Sequence, residues 1–313
     1  IIFYSQLFIR SIDESLVLQV TEFSCGGISL GLSWAHVLGG PLSASELINT
    51  WSQILNNLNL KIPFNIPRSA PTPNKPGPKY DPGTVKRVDP VGDHWILANN
   101  KKMDTLSFHI TSSHMNNLQT QIWGPSVEQT PPFESLCAII WRCIARVREG
   151  SEPTTVTVCR TDPLSSSNDI FGNDQLICKV EAKSECSIID TNLRVLASML
   201  VNQGVDERDQ INEMVEKDQG VIDYFVYGAN LTFLDLEDIN LYDLKLKGHK
   251  PKFVYYTLQG VGDEGVILVL PWSKDPIMNG IDGKFVTIIM PEDEMVKLKS
   301  ELKMNGVMLE GEL

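Results

Sequence analysis

What this chain lacks narrows its function before any motif is considered. No apolar run approaches the roughly 18 residues that a membrane-spanning helix needs, so no segment is expected to cross a bilayer. Basic residues are scarce: 27 Lys and Arg face 39 Asp and Glu, for a net charge of −12. No basic stripe offsets that field, which argues against a nucleic-acid partner and leaves no Lys/Arg cluster to hold anionic lipid directly. The six cysteines, at positions 25, 137, 143, 159, 178 and 186, include no C-x-x-C pair. They are expected to be buried free thiols in a reducing compartment. His109 and His114 lack companions at metal-ligand spacing, so no metal site is expected. The opening residues, Ile1-Ile2-Phe3-Tyr4, have no basic n-region and no cleavage site. They do not read as a signal peptide but as the interior of a longer protein, and the sequon Asn230-Leu231-Thr232 is expected to be unused.

What is present suits a folded α/β chain. Hydrophobic residues make up 42% and charged residues 21%, enough for a sizeable core. Residues 206–243 concentrate 11 acids against two bases, which reads as a solvated helix and loop. Residues 14–22 and 27–32 read as consecutive strands. Ser43-Ala44-Ser45-Glu46 has the pattern of a capping box, with Leu47, Trp51, Ile54 and Leu58 following on one helical face. The stretch 59–93 carries eight of the 18 prolines. That density predicts a surface connection with neither ladder nor helix, and it divides the chain into expected domains 1–95 and 96–313.

Past that connection the pattern predicts a strand at 105–110 and a short helix from Ser112. An amphipathic helix over 133–149 turns Phe133, Leu136, Ile140, Ile144 and Val147 inward. Strands are predicted near 154–160 and 176–182, and helices near 187–201 and 206–218. Strands follow near 230–235, 252–259, 265–271 and 284–290. A closing helix starts at Pro291, with proline at N1 and acids in its first turn. No internal repeat is visible, and alternation of this kind is an α/β pattern.

Three features carry candidate chemistry. His36 follows a glycine-marked apolar strand and precedes the turn Gly39-Gly40-Pro41, where Gly40 is expected at positive φ. An imidazole works as a general base near neutral pH because its ordinary pKa lies close by. In acyl transfer from a thioester it would take the proton of an acceptor hydroxyl or amine, which then attacks directly. No acyl-enzyme, and hence no nucleophile elbow, is expected. The second feature, Gly260-Val261-Gly262-Asp263-Glu264-Gly265, matches G-x-G-x-x-G but falls between two strand-like runs. Asp263 and Glu264 would repel a pyrophosphate, so a hairpin turn is expected. The third is a set of tryptophans, 123, 141 and 272, which read as core or interface anchors.

The segment Phe23 to Pro41, with His36 at its centre, resembles the signature region of the plant BAHD acyl-CoA-dependent acyltransferases, whose motif is His-x-x-x-Asp-Gly. His36 is present, but Gly40 and Pro41 replace the Asp-Gly pair. The resemblance extends over Phe133–Arg142, Asn168–Asn173, Val266–Pro271 and Ile289–Glu294. The family's second motif, Asp-Phe-Gly-Trp-Gly before Lys-Pro, falls on Lys245, Leu246, Lys247, Gly248 and His249, and only Lys250-Pro251 survives. Tyr227-Gly-Ala-Asn230-Leu-Thr-Phe233 and Tyr256–Val266 look specifically like the eceriferum-type branch of cuticular wax synthesis.

The resemblance implies a chloramphenicol-acetyltransferase-like two-domain α/β fold, with mixed sheets flanked by helices, a first domain that is incomplete here, and a channel reaching the histidine. It implies acyl-CoA as co-substrate and no permanently bound cofactor. It also implies that an arginine once paired with the lost aspartate, and Arg160 is the candidate. Membership of the branch implies a weakly catalytic or non-catalytic partner of the fatty-acid elongase condensing enzyme. Such a protein would be monomeric and cytoplasmic, peripheral to the endoplasmic reticulum through that partner, with the nucleus as a further location. The alternative is an acyl-CoA-dependent O- or N-acyltransferase using His36.

Overall fold

The structure is a computed structural model that describes residues 16–56, 81–88, 101–125, 130–162, 175–182, 187–219, 221–272 and 282–308. Its framework is a seven-stranded mixed sheet in the order β4(Met103–Thr111), β11(Gly283–Pro291), β10(Val266–Pro271), β9(Leu231–Asp235), β5(Thr155–Thr161), β6(Gln175–Glu181), β7(Val205–Asp206). The central trio β10, β9 and β5 is parallel, and the outer pairings are antiparallel. Parallel strands covered on both faces read as continuous apolar runs. β10, Val-Ile-Leu-Val-Leu-Pro, is such a run and is buried from Val266 to Leu270. Its alternate residues therefore serve two different cores.

One core lies under four helices, α2(Ser112–Trp123), α3(Pro132–Val147), α4(Leu193–Asn202) and α6(Glu292–Met304). α3 dominates it: of its predicted stripe, Phe133, Leu136, Ile140 and Ile144 are buried and Val147 is part-buried. Trp141 is 0% exposed, and its indole N–H donates to the Pro153 carbonyl at 2.7 Å. That bond lets a polar edge be buried without penalty. The helix starts carry local signals: Thr111 caps α2 by accepting from His114 N, and Asn192 caps α4 by accepting from Arg194 N.

The second core, on the opposite face, joins the start of the chain to the sheet. β1(Leu16–Glu22) and β2(Ile28–Trp34) form an antiparallel hairpin. Leu30, Leu32 and Trp34 of β2, with Ala44 and Ile48 of α1(Pro41–Leu55), pack with Leu234, Val266, Leu268 and Leu270 of the sheet. The long connection 236–265 adds Leu236, Ile239, Leu241, Leu244, Val254, Tyr256, Leu258 and Val261 to the same core. β3(Lys86–Val88) pairs with β8(Asp223–Phe225) in a small separate sheet, and α5(Arg208–Asp218) buries none of its residues.

Several expectations need correction. Ser43 is not a cap: α1 begins at Pro41 with Gly40 as N-cap, because the fixed φ of proline starts a helix at N1. α1 packs only part of the Leu47–Trp51–Ile54 face: Leu47 and Trp51 are part-buried against the second core. It buries Ser43, Ala44, Ser45, Ile48, Asn49 and Ser52, while Leu42, Ile54 and Leu55 are exposed. Besides the apolar contacts of Ala44 and Ile48, part of the opposing surface is backbone, which needs hydrogen-bond donors: Asn49 donates to the Asn240 carbonyl at 2.6 Å and Ser52 to the Lys245 carbonyl at 2.6 Å.

Residues 252–259 form no strand, although Val254, Tyr256 and Leu258 alternate inward as strand residues would. The 260–265 turn is therefore not a hairpin. Within the Pro-rich stretch, proline-free Lys86–Val88 does make a ladder. Pro291 is the N-cap of α6 rather than N1, with Glu292, Asp293 and Glu294 in the first turn. Leu58, residues 168–173, Cys186 and most of 59–93 lie outside the described residues.

Candidate active site

β2 delivers His36 to the face of the second core. The strand ends at Trp34, and His36 opens a single 3-10 turn, His36–Leu38. The Trp34 indole N–H donates to the Gly39 carbonyl at 2.8 Å, tying the turn back to the strand. Gly39, not Gly40, carries the positive φ, at 142°. A Cβ there would meet Ser43 Oγ at 2.7 Å, so glycine is required. Gly40 has φ −73° and ψ −179°, extended backbone that any residue adopts. Asp at an N-cap can accept from the orphan N–H groups of the first turn, so Gly40→Asp is expected to raise stability by a few tenths of a kcal/mol. Urea unfolding measures this; a loss above about 1 kcal/mol would show that the turn cannot hold a carboxylate.

His36 Nε2 lies 3.1 Å from the Tyr227 hydroxyl, and the Tyr227 O–H donates to Gln175 Oε1 at 2.7 Å. The two rings are tilted, with centroids 5.7 Å apart. Gln175 opens β6, and Tyr227 sits on the turn between β8 and β9. Three remote segments thus converge on one polar chain. Burial pulls the His36 pKa below the ordinary imidazole value, against a hydrogen bond with its own backbone that favours the charged ring. Burial thus favours the uncharged ring. Burial pushes the Tyr227 phenol well above its usual value, aided by Cys159 and Tyr256 and opposed by the Gln175 bond.

The Tyr227 turn is held by the glycines of the G-x-G-x-x-G stretch. Gly228 has φ 81°, and a Cβ on it would meet Gly262 O at 2.4 Å. Gly262 N donates to Tyr227 O at 2.9 Å, and Glu264 N to Gly228 O at 3.3 Å. Arg148, its side chain only 7% exposed, binds Glu264 from the other side at 2.9 Å and Glu294 at 2.6 Å. These glycines let two backbones touch, and Glu264 serves an ion pair.

The second-motif residues form a turn of their own. Leu246 and His249 exchange backbone hydrogen bonds around Lys247 and Gly248, which have φ of 50° and 81°. Two successive positive φ values make this a primed turn. Lys245 bonds Ser52 of α1 through its backbone, and Lys247 pairs with Glu22 at 3.0 Å. Arg160 is not left unpaired by the missing aspartate: it binds Glu134 of α3 at 3.2 Å and lies over the Phe133 ring.

Burial pushes Cys137, Cys143 and Cys159 up, Cys143 to about 12, whereas Cys25 is exposed rather than buried as expected. Gly27-Ile28-Ser29-Leu30-Gly31 spells a nucleophile-elbow pattern, but Ser29 lies inside β2 opposite Thr21, not on a strand-to-helix turn. Among the described residues no cluster of three His, Cys, Asp or Glu could hold a metal. His109 stacks against Trp272, with ring centroids 4.1 Å apart, and the Asn230 amide of the sequon donates to the Gly83 carbonyl.

Sequence reasoning missed the roles of Tyr227 and Gln175. Tyr227 stood out only as part of a branch-like segment, and Gln175 gave no signal, because strand register and loop crossing decide what each one faces.

Comparison with known proteins gives the family and the fold. The Transferase family profile matches residues 3–305. Protein ECERIFERUM 26-like of Arabidopsis thaliana is 37% identical, over 95% of this chain and 70% of its own length. Vinorine synthase superposes with a TM-score of 0.66 at 16% identity, covering 93% of this chain and 65% of that one. Fusarium TRI101 (F. graminearum), crystallised with coenzyme A and deoxynivalenol, gives a TM-score of 0.66 at 18% identity, covering 93% of this chain and 69% of that one. At such identities the two structures speak for the fold alone, and this chain spans about two thirds of each. The chain belongs to the Transferase family, the BAHD acyltransferases that its His36 segment resembles, and to the eceriferum-type branch of that family.

Proposed function

We propose that this chain supports the elongation of very-long-chain acyl groups for cuticular wax, as a weakly catalytic or non-catalytic partner of the elongase condensing enzyme. The observation that carries the reading is the 37% identity to Protein ECERIFERUM 26-like over 95% of the chain. The altered motif supports it. Gly40 supplies no carboxylate, and Lys245 to His249 form a turn docked on α1 and β1. Acyl-CoA is the chemistry such a chain would recognise, as coenzyme A is what TRI101 was crystallised with.

The second reading is an acyl-CoA-dependent O- or N-acyltransferase with His36 as general base. A specific observation favours it: the imidazole survives, part-buried and with its pKa lowered by burial, which suits proton abstraction.

Recruitment separates partner from lipid. Among the described residues no helix is long and apolar enough to cross a membrane, and the net charge of −12 repels anionic lipid. Association with the endoplasmic reticulum would then come from the partner, through buried aromatic and aliphatic anchors rather than rim charges. In a host without plant elongase subunits, the chain is expected in the soluble fraction. Co-expression with a wax condensing enzyme is expected to move it to the microsomal pellet and to lengthen the acyl products. Equal membrane binding with and without that enzyme, or unchanged products, would contradict the proposal.

A further inference from the structure

His36 survives, yet the place in front of it is taken. A general base must come within about 2.6–3.2 Å of the group whose proton it removes. The His36 ring is bonded to its own backbone, which only Nδ1 can reach because Nε2 points away from the main chain. An acceptor hydroxyl or amine would therefore have to bond Nε2. That nitrogen already has the Tyr227 phenol oxygen 3.1 Å away. A ring nitrogen offers one in-plane hydrogen-bond position, and two oxygens cannot share it. The phenol has one proton and two neighbours able to take it, Nε2 and Gln175 Oε1 at 2.7 Å. Whichever takes it, the phenol oxygen stands where the acceptor atom would stand.

We infer that Tyr227 is a built-in competitor of the acceptor: its phenol oxygen occupies the hydrogen-bond position at His36 Nε2 that an acceptor hydroxyl or amine needs. The fold holds this competitor from several sides. The Gly228–Gly262 backbone contact and the Gly262 N to Tyr227 O bond set its turn, while register places Gln175 opposite Thr161, at the end of the β5–β6 pair. A competitor fixed by the fold pays none of the translational cost that a diffusing acceptor pays on binding. An acceptor reaches Nε2 only by breaking the phenol contact, worth about 1 kcal/mol, and displacing a ring that the turn holds. The arrangement gives a physical reason for weak catalysis beside a surviving imidazole. It rests on the reading of His36 as the residue an acceptor would meet and makes no use of elongation, so the two fail independently.

The test is the rate at which diethyl pyrocarbonate, which acylates an unprotonated imidazole nitrogen, modifies each histidine, read peptide by peptide in a mass spectrometer. At a pH of about 8 ordinary imidazoles are uncharged, so the rate reports access to the nitrogen rather than its protonation. Exposed His249 is the internal reference. In the unmodified chain His36 is expected to react several-fold more slowly than His249. Tyr227→Phe keeps the ring and removes only the hydroxyl, and it is expected to raise the His36 rate roughly five- to tenfold, the equivalent of one hydrogen bond. Tyr227→Ala, which also vacates the place of the ring, should raise it further, with Tyr227→Phe deciding the matter if that variant fails to fold. A merely structural role, in which the ring only fills space, would leave Tyr227→Phe at the unmodified rate. A His36 that reacts as fast as His249 in the unmodified chain, or a rate that Tyr227→Phe does not raise, overturns the inference.

Discussion

Gly262→Ala is expected to cost on the order of 3 kcal/mol of folding stability, with loss of the ordered Tyr227–His36 contact. The reason is geometric. A Cβ at Gly262 would stand 2.5 Å from Gly228 O and 2.5 Å from Phe225 Cε2. The first of these is backbone, which cannot rotate away, so the crossing itself must open. Opening it removes the bond from Gly262 N to Tyr227 O and releases the turn that presents the phenol. Gly306→Ala is the control: Gly306 has φ 66° with open space around it. That substitution should show only the left-handed backbone penalty, about 1–2 kcal/mol. Urea unfolding of the two variants, with the Tyr227 ring resonances as a local probe, checks the contrast. Equal losses would mean that the crossing is looser than the structure shows.

Arg148→Met is expected to cost about 3 kcal/mol, the second of the large effects. Arg148 closes α3 and ties two elements together, Glu294 in the first turn of α6 and Glu264 in the turn before β10. Removing a buried partner leaves carboxylates without compensation, which costs far more than losing an exposed pair. Lys101, 3.0 Å from Glu294, remains as partial compensation and keeps the loss below the top of the usual range. Lys217→Met, which removes the exposed pair with Glu213, should change stability by no more than about 0.5 kcal/mol. Thermal and urea unfolding of both variants test the ranking, and a similar loss in each would contradict it.

Both predictions concern a turn whose purpose was hidden in the sequence. Gly260 to Gly265 could be denied a nucleotide role from its context and its acids. Its real neighbour, Gly228, lies 34 positions away and faces it only through a loop crossing. Elements built on local periodicity were legible: β4, β5, β9, β10, β11 and the α3 stripe follow from alternation or helical spacing. α1 was legible only in part: Leu47 and Trp51 share a face and lie part-buried on the second core, but Ile54 of the same pattern is exposed. Part of the surface it meets consists of the carbonyls of Asn240 and Lys245, so Asn49 and Ser52 also turn inward. Residues 252–259 were misread in the opposite sense. They bury every second side chain in the second core yet have no ladder partner among the described residues. At the site, His36 was legible from the strand, the turn and the family resemblance. Tyr227 lies 191 positions from His36, and no local signal could join them.

The central claim is that this chain acts on acyl elongation through contact with a condensing enzyme, without proton transfer at His36. Its most direct test is the chain-length distribution of acyl products in a host that supplies the condensing enzyme but no other plant elongase subunit. Three samples decide it: the enzyme alone, the enzyme with this chain, and the enzyme with the His36→Ala variant. A positioned general base contributes about 10²–10⁴-fold to turnover, so a mechanism that needs His36 cannot survive its removal. The account predicts that the unmodified chain and His36→Ala shift the products to the same greater lengths. A His36→Ala profile that falls back to that of the condensing enzyme alone would contradict it.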